Sequence, residues 1–287
     1  MPTRKIACVQ MDCQLGQKQA NLDTVCTRLK IAAENGADLI IFPECALTGY
    51  GFNSKEEAWP HAEPVPGPSC EALVRACRDN KVHAVVGSLE REESTGHLFN
   101  VALLLGPDGL VHCYRKIHLP YLGVDRYTTP GNQSFAVHDI GGLRVGMNIC
   151  YDAGFPEAAR CLAVLGADLV VLPTNWPNGA RIAVKYLVQA RAMENQIFYA
   201  CCNRVGEEGG FPFIGLSRII NINGELISHS DDAQETILYA DIDPEKARNK
   251  HIVFEPGRYE LHRSLHRRPD MYGPLTEPLK ETFKPKG

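Results

Sequence analysis

Gly36-Ala-Asp-Leu-Ile-Ile-Phe-Pro-Glu44 and Gly166-Ala-Asp-Leu-Val-Val-Leu-Pro-Thr174 are near copies of one another within a chain of 287 residues. Each is a short apolar run that reads as a buried strand. Their surroundings match too. Each run follows an amphipathic helix candidate, residues 19–35 and 156–165; in the first, Leu22, Val25, Leu29 and Ala32 or Ala33 recur at helical spacing. Each of those helices follows an apolar strand candidate, Lys5–Met11 and Leu143–Ile149. A second helix candidate comes next in both halves, residues 69–80 and 179–194, and then a further strand, Val82–Glu90 and Ile197–Asn203. Both halves close on strand–turn–strand signals: Phe99–Leu105 and Leu110–Lys116 around Gly106-Pro-Asp-Gly109, and Leu216–Ile222 and Glu225–Ser230 around Asn223-Gly224. Asn-Gly favours a type I′ hairpin.

The pattern βαβαβββ therefore occurs twice. Strands alternating with helices predict mixed sheets with helices on their outer faces. Two such sheets can bury their remaining faces against each other, so the expected fold is α/β, a four-layer α-β-β-α sandwich of two pseudo-repeated halves. No Pro/Gly/Ser linker separates the halves. One domain is expected over residues 1–287, with a core of about 4–250. Residues 251–287, rich in Pro, Arg and His with little periodicity, read as an extended tail at a subunit interface.

Hydrophobic residues make up 44% of the chain and charged residues 22%, with a formal net charge of -4. That balance gives no broad basis for binding nucleic acid or an anionic membrane. The basic cluster His262-Arg-Ser-Leu-His-Arg-Arg268 is short and reads as a solvated or inter-subunit face. No apolar run approaches the roughly 20 residues that span a bilayer. Met1-Pro-Thr-Arg-Lys5 enters a strand without the pattern of a secretory signal. The 11 cysteines are scattered without paired CxxC spacing. They suit free thiols in a reducing cytosol rather than a disulfide framework or structural zinc, so a cytoplasmic protein is expected.

Three chemically different side chains punctuate strand ends. Glu44 ends one of the copied runs, Lys116 ends Leu110–Arg115, and Cys150 follows Leu143–Ile149 just before a helix opening Phe155-Pro-Glu157. Charges at the ends of buried strands are costly unless paired. In sheets of this kind, sites gather at the carboxyl ends of strands. Taken singly, each residue has an ordinary reading: a core thiol, a helix cap, a snorkelling lysine. Together they make a nucleophile, a base and an oxyanion clamp.

At these residues the sequence resembles the nitrilase, or carbon–nitrogen hydrolase, superfamily. The resemblance lies in Phe42-Pro-Glu44-Cys-Ala-Leu-Thr-Gly-Tyr50, Tyr114-Arg-Lys116-Ile-His-Leu-Pro120 and Asn148-Ile-Cys150-Tyr-Asp-Ala-Gly-Phe-Pro-Glu157. It extends through Leu172-Pro-Thr-Asn-Trp176, Ala190–Asn195, Asn203–Gly206 and the Arg-Pro-Asp-Met-Tyr-Gly-Pro tail. It implies the α-β-β-α sandwich, pairing of subunits into a homodimer or higher oligomer, and no metal or organic cofactor. It also implies Glu44 as general base, Lys116 as the stabilising cation and Cys150 as nucleophile. Attack on an amide carbonyl creates an oxyanion, where the backbone N–H of Tyr151 is expected to join Lys116. The family's second Glu has Asp125 as its nearest counterpart, one methylene shorter, with a substrate-orienting role expected. Tyr50, Tyr121, Asn175 and Trp176 are candidate pocket residues, suited to a mostly apolar small molecule with one polar handle. Cys-Tyr-Asp resembles the amidase and carbamoylase branches more than the true nitrilases. Hydrolysis of a primary amide through a thioester is therefore expected, with an N-carbamoyl compound second and a nitrile third. A catalytically silent scaffold subunit is the alternative of another class. His118 invites a Cys–His mechanism, but a structural role is the expectation. His262 and His266, at i,i+4, lack a third metal ligand and read as a solvated face.

Overall fold

The computed structural model describes residues 2–278. The first half runs β1 (Arg4–Gln10), α1 (Lys18–Glu34), β2 (Leu39–Ile41), α2 (Lys55–Ala58), α3 (Pro68–Asn80), β3 (His83–Glu92), β4 (His97–Gly106) and β5 (Gly109–Arg115). The second runs β6 (Val137–Asp139), β7 (Arg144–Met147), α4 (Pro156–Val164), β8 (Leu169–Thr174), α5 (Val188–Asn195) and β9 (Phe198–Asn203). It continues through the short pair β10 (Glu207–Glu208) and β11 (Phe211–Pro212), then β12 (Arg218–Ile220), β13 (Leu226–His229), β14 (Thr236–Ile242) and α6 (Pro244–Arg248).

Two six-stranded sheets result, in the orders β14-β1-β2-β3-β4-β5 and β6-β7-β8-β9-β12-β13. The near-copied runs, β2 and β8, take the same place in each, parallel to both neighbours. Alternation along each strand divides the core. Ile6, Cys8, Leu39, Ile41 and Val85 pack with Val145, Met147, Leu169 and Val171 in one cluster between the sheets. Ala7, Val9, Ile40, Ala84 and Val86 turn the other way, under Leu22, Val25 and Leu29 of α1 and Leu73 and Cys77 of α3. Across the inter-sheet gap, Cys202 Sγ lies 3.1 Å from Ile41 O and 3.3 Å from Val9 O. On the far side α4 presses on β7: a Cβ added to Gly146 would lie 2.9 Å from Leu162 Cδ2. The four layers α-β-β-α are all present.

Some elements differ from expectation. The helix expected over 179–194 is broken into a 3-10 turn at Asn178–Ala180, a π turn at Ala183–Leu187, and α5. The edge strands β6 and β14 were not anticipated. The chain also divides into two compact units between Arg248 and Asn249. The second unit, read from sequence as an extended tail, contains a hairpin of β15 (His251–Glu255) and β16 (Tyr259–His262). Residues 279–287 of that tail lie outside the described residues. Among those described, no helix is long and apolar enough to cross a membrane.

Candidate active site

Glu44 leaves the sheet just beyond β2, where Phe42 N still bonds to Val85 O at 2.8 Å. The next residue, Cys45, takes φ 49° and turns the chain sharply. The neighbouring strand must come very close at this point. A Cβ at Gly87 would lie 2.4 Å from Pro43 O, 2.5 Å from Cys45 N and 2.6 Å from Glu44 Cα, so only glycine fits. Lys116 follows β5 and is tied back to β4 by its amide, 2.8 Å from Asn100 O.

These two segments and the 3-10 turn Gly123–Arg126, which carries Asp125, bring their charged side chains together away from solvent. Lys116 Nζ lies 2.7 Å from Glu44 Oε1 and 2.5 Å from Asp125 Oδ2, and all three side chains are fully buried. Asn100 Nδ2 donates to Glu44 Oε1 at 2.7 Å and to Asp125 Oδ1 at 2.9 Å. Tyr50 OH donates to Asp125 Oδ2 at 2.8 Å. Burial works against the Lys116 ammonium, but Asp125 and then Glu44 outweigh it and hold the amine well above its ordinary pKa. Burial raises the Glu44 carboxyl, and Lys116 only partly offsets this. A buried carboxylate with a raised pKa is a stronger base than one in water.

Cys150 follows β7 at φ 47° and opens a 3-10 turn, Cys150–Gly154. A residue bearing Cβ seldom adopts that left-handed conformation unless its surroundings impose it. Its thiol is pushed up to about 12, by burial first and then by the Glu44 charge. Lys116, the Thr174 hydroxyl and the Asn175 backbone act in the opposite direction. The second half thus delivers the end of β8 to the thiol, as the first half delivers the end of β2. The resting side chain is a thiol, and a neighbouring base is needed to make it a nucleophile.

Of the remaining expected residues, only Tyr50 and Tyr121 line a cavity. A cavity of about 280 Å³ is walled by Tyr50, Tyr121, Leu122, Arg126, Phe211 and Phe213, among others. Tyr50 joins that cavity to the charged cluster through Asp125. The loop holding Tyr50 is pinned by Glu208, whose Oε2 accepts from Tyr50 N and Gly51 N at 2.8 Å each. Glu208 is itself ion-paired to the fully buried Arg204 at 2.7 Å. Tyr121 stands at the rim, 91% exposed. Asp125 faces Lys116 rather than the cavity wall. Asn175 and Trp176 are buried and do not line that cavity. Asn175 instead adjoins the Cys150 thiol, and its side-chain amide has no hydrogen-bond partner among the described residues. Trp176 is fixed by its amide, which donates to Asn203 Oδ1 at 2.8 Å. Tyr151 is 45% exposed. Its N–H lies in the first turn after β7, where amides have no intrahelical acceptor.

Sequence reasoning passed over two residues. Asn100, which bridges both carboxylates, left one signal: an amide inside the apolar run Phe99–Leu105. Asp152, fully buried behind the Cys150 turn, appeared only as part of the Cys-Tyr-Asp triplet.

Residues 5–252 match the family model described as carbon-nitrogen hydrolase. The chain is 37% identical over 267 residues to a nitrilase of Pyrococcus abyssi, covering 90% of this chain and 98% of that protein. It is 31% identical over 276 residues to an omega-amidase of Homo sapiens, covering 91% and 98%. Among solved structures, an amidase from Nesterenkonia sp. superimposes with a TM-score of 0.75 at 26% identity, covering 86% of this chain and 93% of that one. A variant of the Nesterenkonia amidase carries acrylamide added at its active-site cysteine, with a TM-score of 0.74 to this chain.

Proposed function

Because this chain belongs to the carbon–nitrogen hydrolase family, and so is a hydrolase of C–N bonds, we propose that it converts a primary amide to a carboxylic acid and ammonia through a thioester on Cys150. One observation carries the reading. A buried ammonium and a buried carboxylate, 2.7 Å apart, both act on a buried thiol at the end of a strand.

Glu44 takes the proton as Cys150 Sγ attacks the amide carbon. The carbonyl electron pair moves onto oxygen, where Lys116 and the Tyr151 N–H stabilise it. Collapse of this intermediate breaks the C–N bond, and the proton held by Glu44 leaves with ammonia. Glu44 then deprotonates a water that attacks the thioester. Collapse of that second intermediate breaks the C–S bond, the acid departs, and the proton held by Glu44 returns to the Cys150 sulfur. Asp125 and Asn100 hold Lys116 and Glu44 in place during both halves. The aromatic cavity suits an apolar acyl chain, with Arg126 offering a cation to a polar end.

A nitrile is the second reading, favoured by the name of the Pyrococcus abyssi relative. Ammonia release from primary amides, N-carbamoyl compounds and nitriles, with wild type and Cys150→Ala, tests both. Primary amides should be turned over best, and the substitution should abolish turnover. Equal turnover by the variant would sink the thiol mechanism, and a preference for nitriles would replace the amide reading.

A further inference from the structure

We propose that His118 and Asp152 are positioning residues that fix the turn carrying Cys150 against the strand end carrying Lys116. The proposal rests on the reading of Cys150 as nucleophile, and it assigns His118 no proton from the thiol.

Asp152 is fully buried, and its carboxylate gathers donors from both segments. Oδ2 accepts from Ile149 N and from Tyr114 OH, each at 2.8 Å. Oδ1 accepts from His118 N at 3.1 Å and lies 2.7 Å from His118 Nδ1. A carboxylate only accepts, so Nδ1 carries the hydrogen. These links hold both segments. The Ile149 bond, with the return bond from Asp152 N to Ile149 O at 3.0 Å, clamps the residues either side of the left-handed Cys150 turn. Tyr114 and His118 stand two residues before and two after Lys116, so their bonds seize the lysine segment from both sides.

The imidazole is seated as well as bonded. It stacks on Phe155 with centroids 3.7 Å apart and planes 9° from parallel. Phe155 is held in turn by its amide, 3.1 Å from Asp152 O. Cys150 and Lys116 sit on different sheets. Without this clamp their separation would depend on two loops. A misplacement of about 1 Å at reacting groups costs on the order of a hundredfold in rate.

The test uses the full-length chain with His118→Ala, His118→Asn and Asp152→Asn. For each, kcat and KM on the best amide are measured. Alkylation of Cys150 by iodoacetamide is timed by mass spectrometry of its peptide, and the thermal midpoint is recorded. His118→Ala should lower kcat about tenfold or more with KM little changed, and slow Cys150 alkylation in parallel. His118→Asn supplies an N–H toward Asp152 and should recover most of both losses. Asp152→Asn keeps the shape but turns an amino group toward donors, and should lose more than His118→Ala. Wild-type kcat and alkylation in His118→Ala, with only the thermal midpoint lowered, would reduce the pair to a structural role and overturn the proposal. So would a folded His118→Asn as impaired as the alanine variant, since the bond to Asp152 would then carry none of the effect. If no amide is turned over, the proposed function fails, and the alkylation rates still decide the clamp.

Discussion

At the residue, the chemistry turns on which group holds a proton at rest. Burial raises the Glu44 carboxyl above its ordinary value of 4.5, while the Cys150 thiol is pushed up to about 12. The base form of Glu44 exists above its own pKa. The kcat/KM profile should therefore fall toward acid along a limb displaced above the usual carboxylate range, then stay level through the ordinary thiol region near pH 8.5. Glu44→Gln should remove that limb along with about a hundredfold or more of the activity. A rate that climbs tenfold per unit through pH 8–9 would instead mean that a free thiolate attacks unaided. The same burial explains why Asn100 matters: a buried carboxylate pair needs donors, and Asn100 supplies one to each. From the sequence, Glu44, Lys116 and Cys150 were visible because charge and thiol at strand ends are unusual. Asn100 was not, since a lone amide in a strand commonly meets backbone or water.

At the level of elements, close approach sets positions. Gly87→Ala would drive β3 from the turn at Glu44, because the new methyl meets backbone atoms that cannot rotate away. The expected result is a lower thermal midpoint and a fall in kcat/KM of about a hundredfold, measured on the same preparation. An unchanged kcat/KM would show that the turn has slack. Asp168 joins β7, β8 and α6: Arg144 Nη2 lies 2.9 Å and Arg248 Nη2 2.7 Å from its carboxylate. Although burial opposes them, the two guanidinium groups hold its pKa below the usual 3.8. Its stabilisation is therefore present above that value and lost as pH falls below it. Asp168→Asn should cost about 3 kcal/mol, read by urea unfolding at neutral pH, with a smaller difference in strong acid. Equal stability at neutral pH would show that the arginines find other partners. A long element such as α1, of 17 residues, was legible because periodicity accumulates over many residues. β6 has three residues and, unlike the equally short β2, no copy elsewhere in the chain to mark it, and the helix at 179–194 was read through a π turn that shifts its faces.

Over the whole molecule, the two halves repeat each other in strand order, so the duplicated runs disclosed most of the architecture. The second unit is a separate matter. Val253, Phe254, Tyr259, Leu265, Met271 and Leu275 are exposed there. We propose that another copy of the chain covers these apolar side chains. A chain ending at residue 248 should then assemble into particles of fewer subunits by light scattering than the full chain; an equal number of subunits would remove the tail from the interface. The strand β14 was illegible for a reason of its own: its partner lies at the opposite end of the sequence. All seven residues of β1, from Arg4↔Ile242 to Gln10↔Thr236, are paired to it. The consequence concerns birth rather than catalysis. As the chain leaves the ribosome, the first sheet emerges early, yet the flank of β1 stays open until nearly all of the second half has been made. Such distant pairing makes folding slow, and an unpaired strand invites a neighbouring nascent chain to occupy it. Translation speed through the second half, and shelter by a chaperone until Ile242 emerges, should set how much native protein a cell obtains.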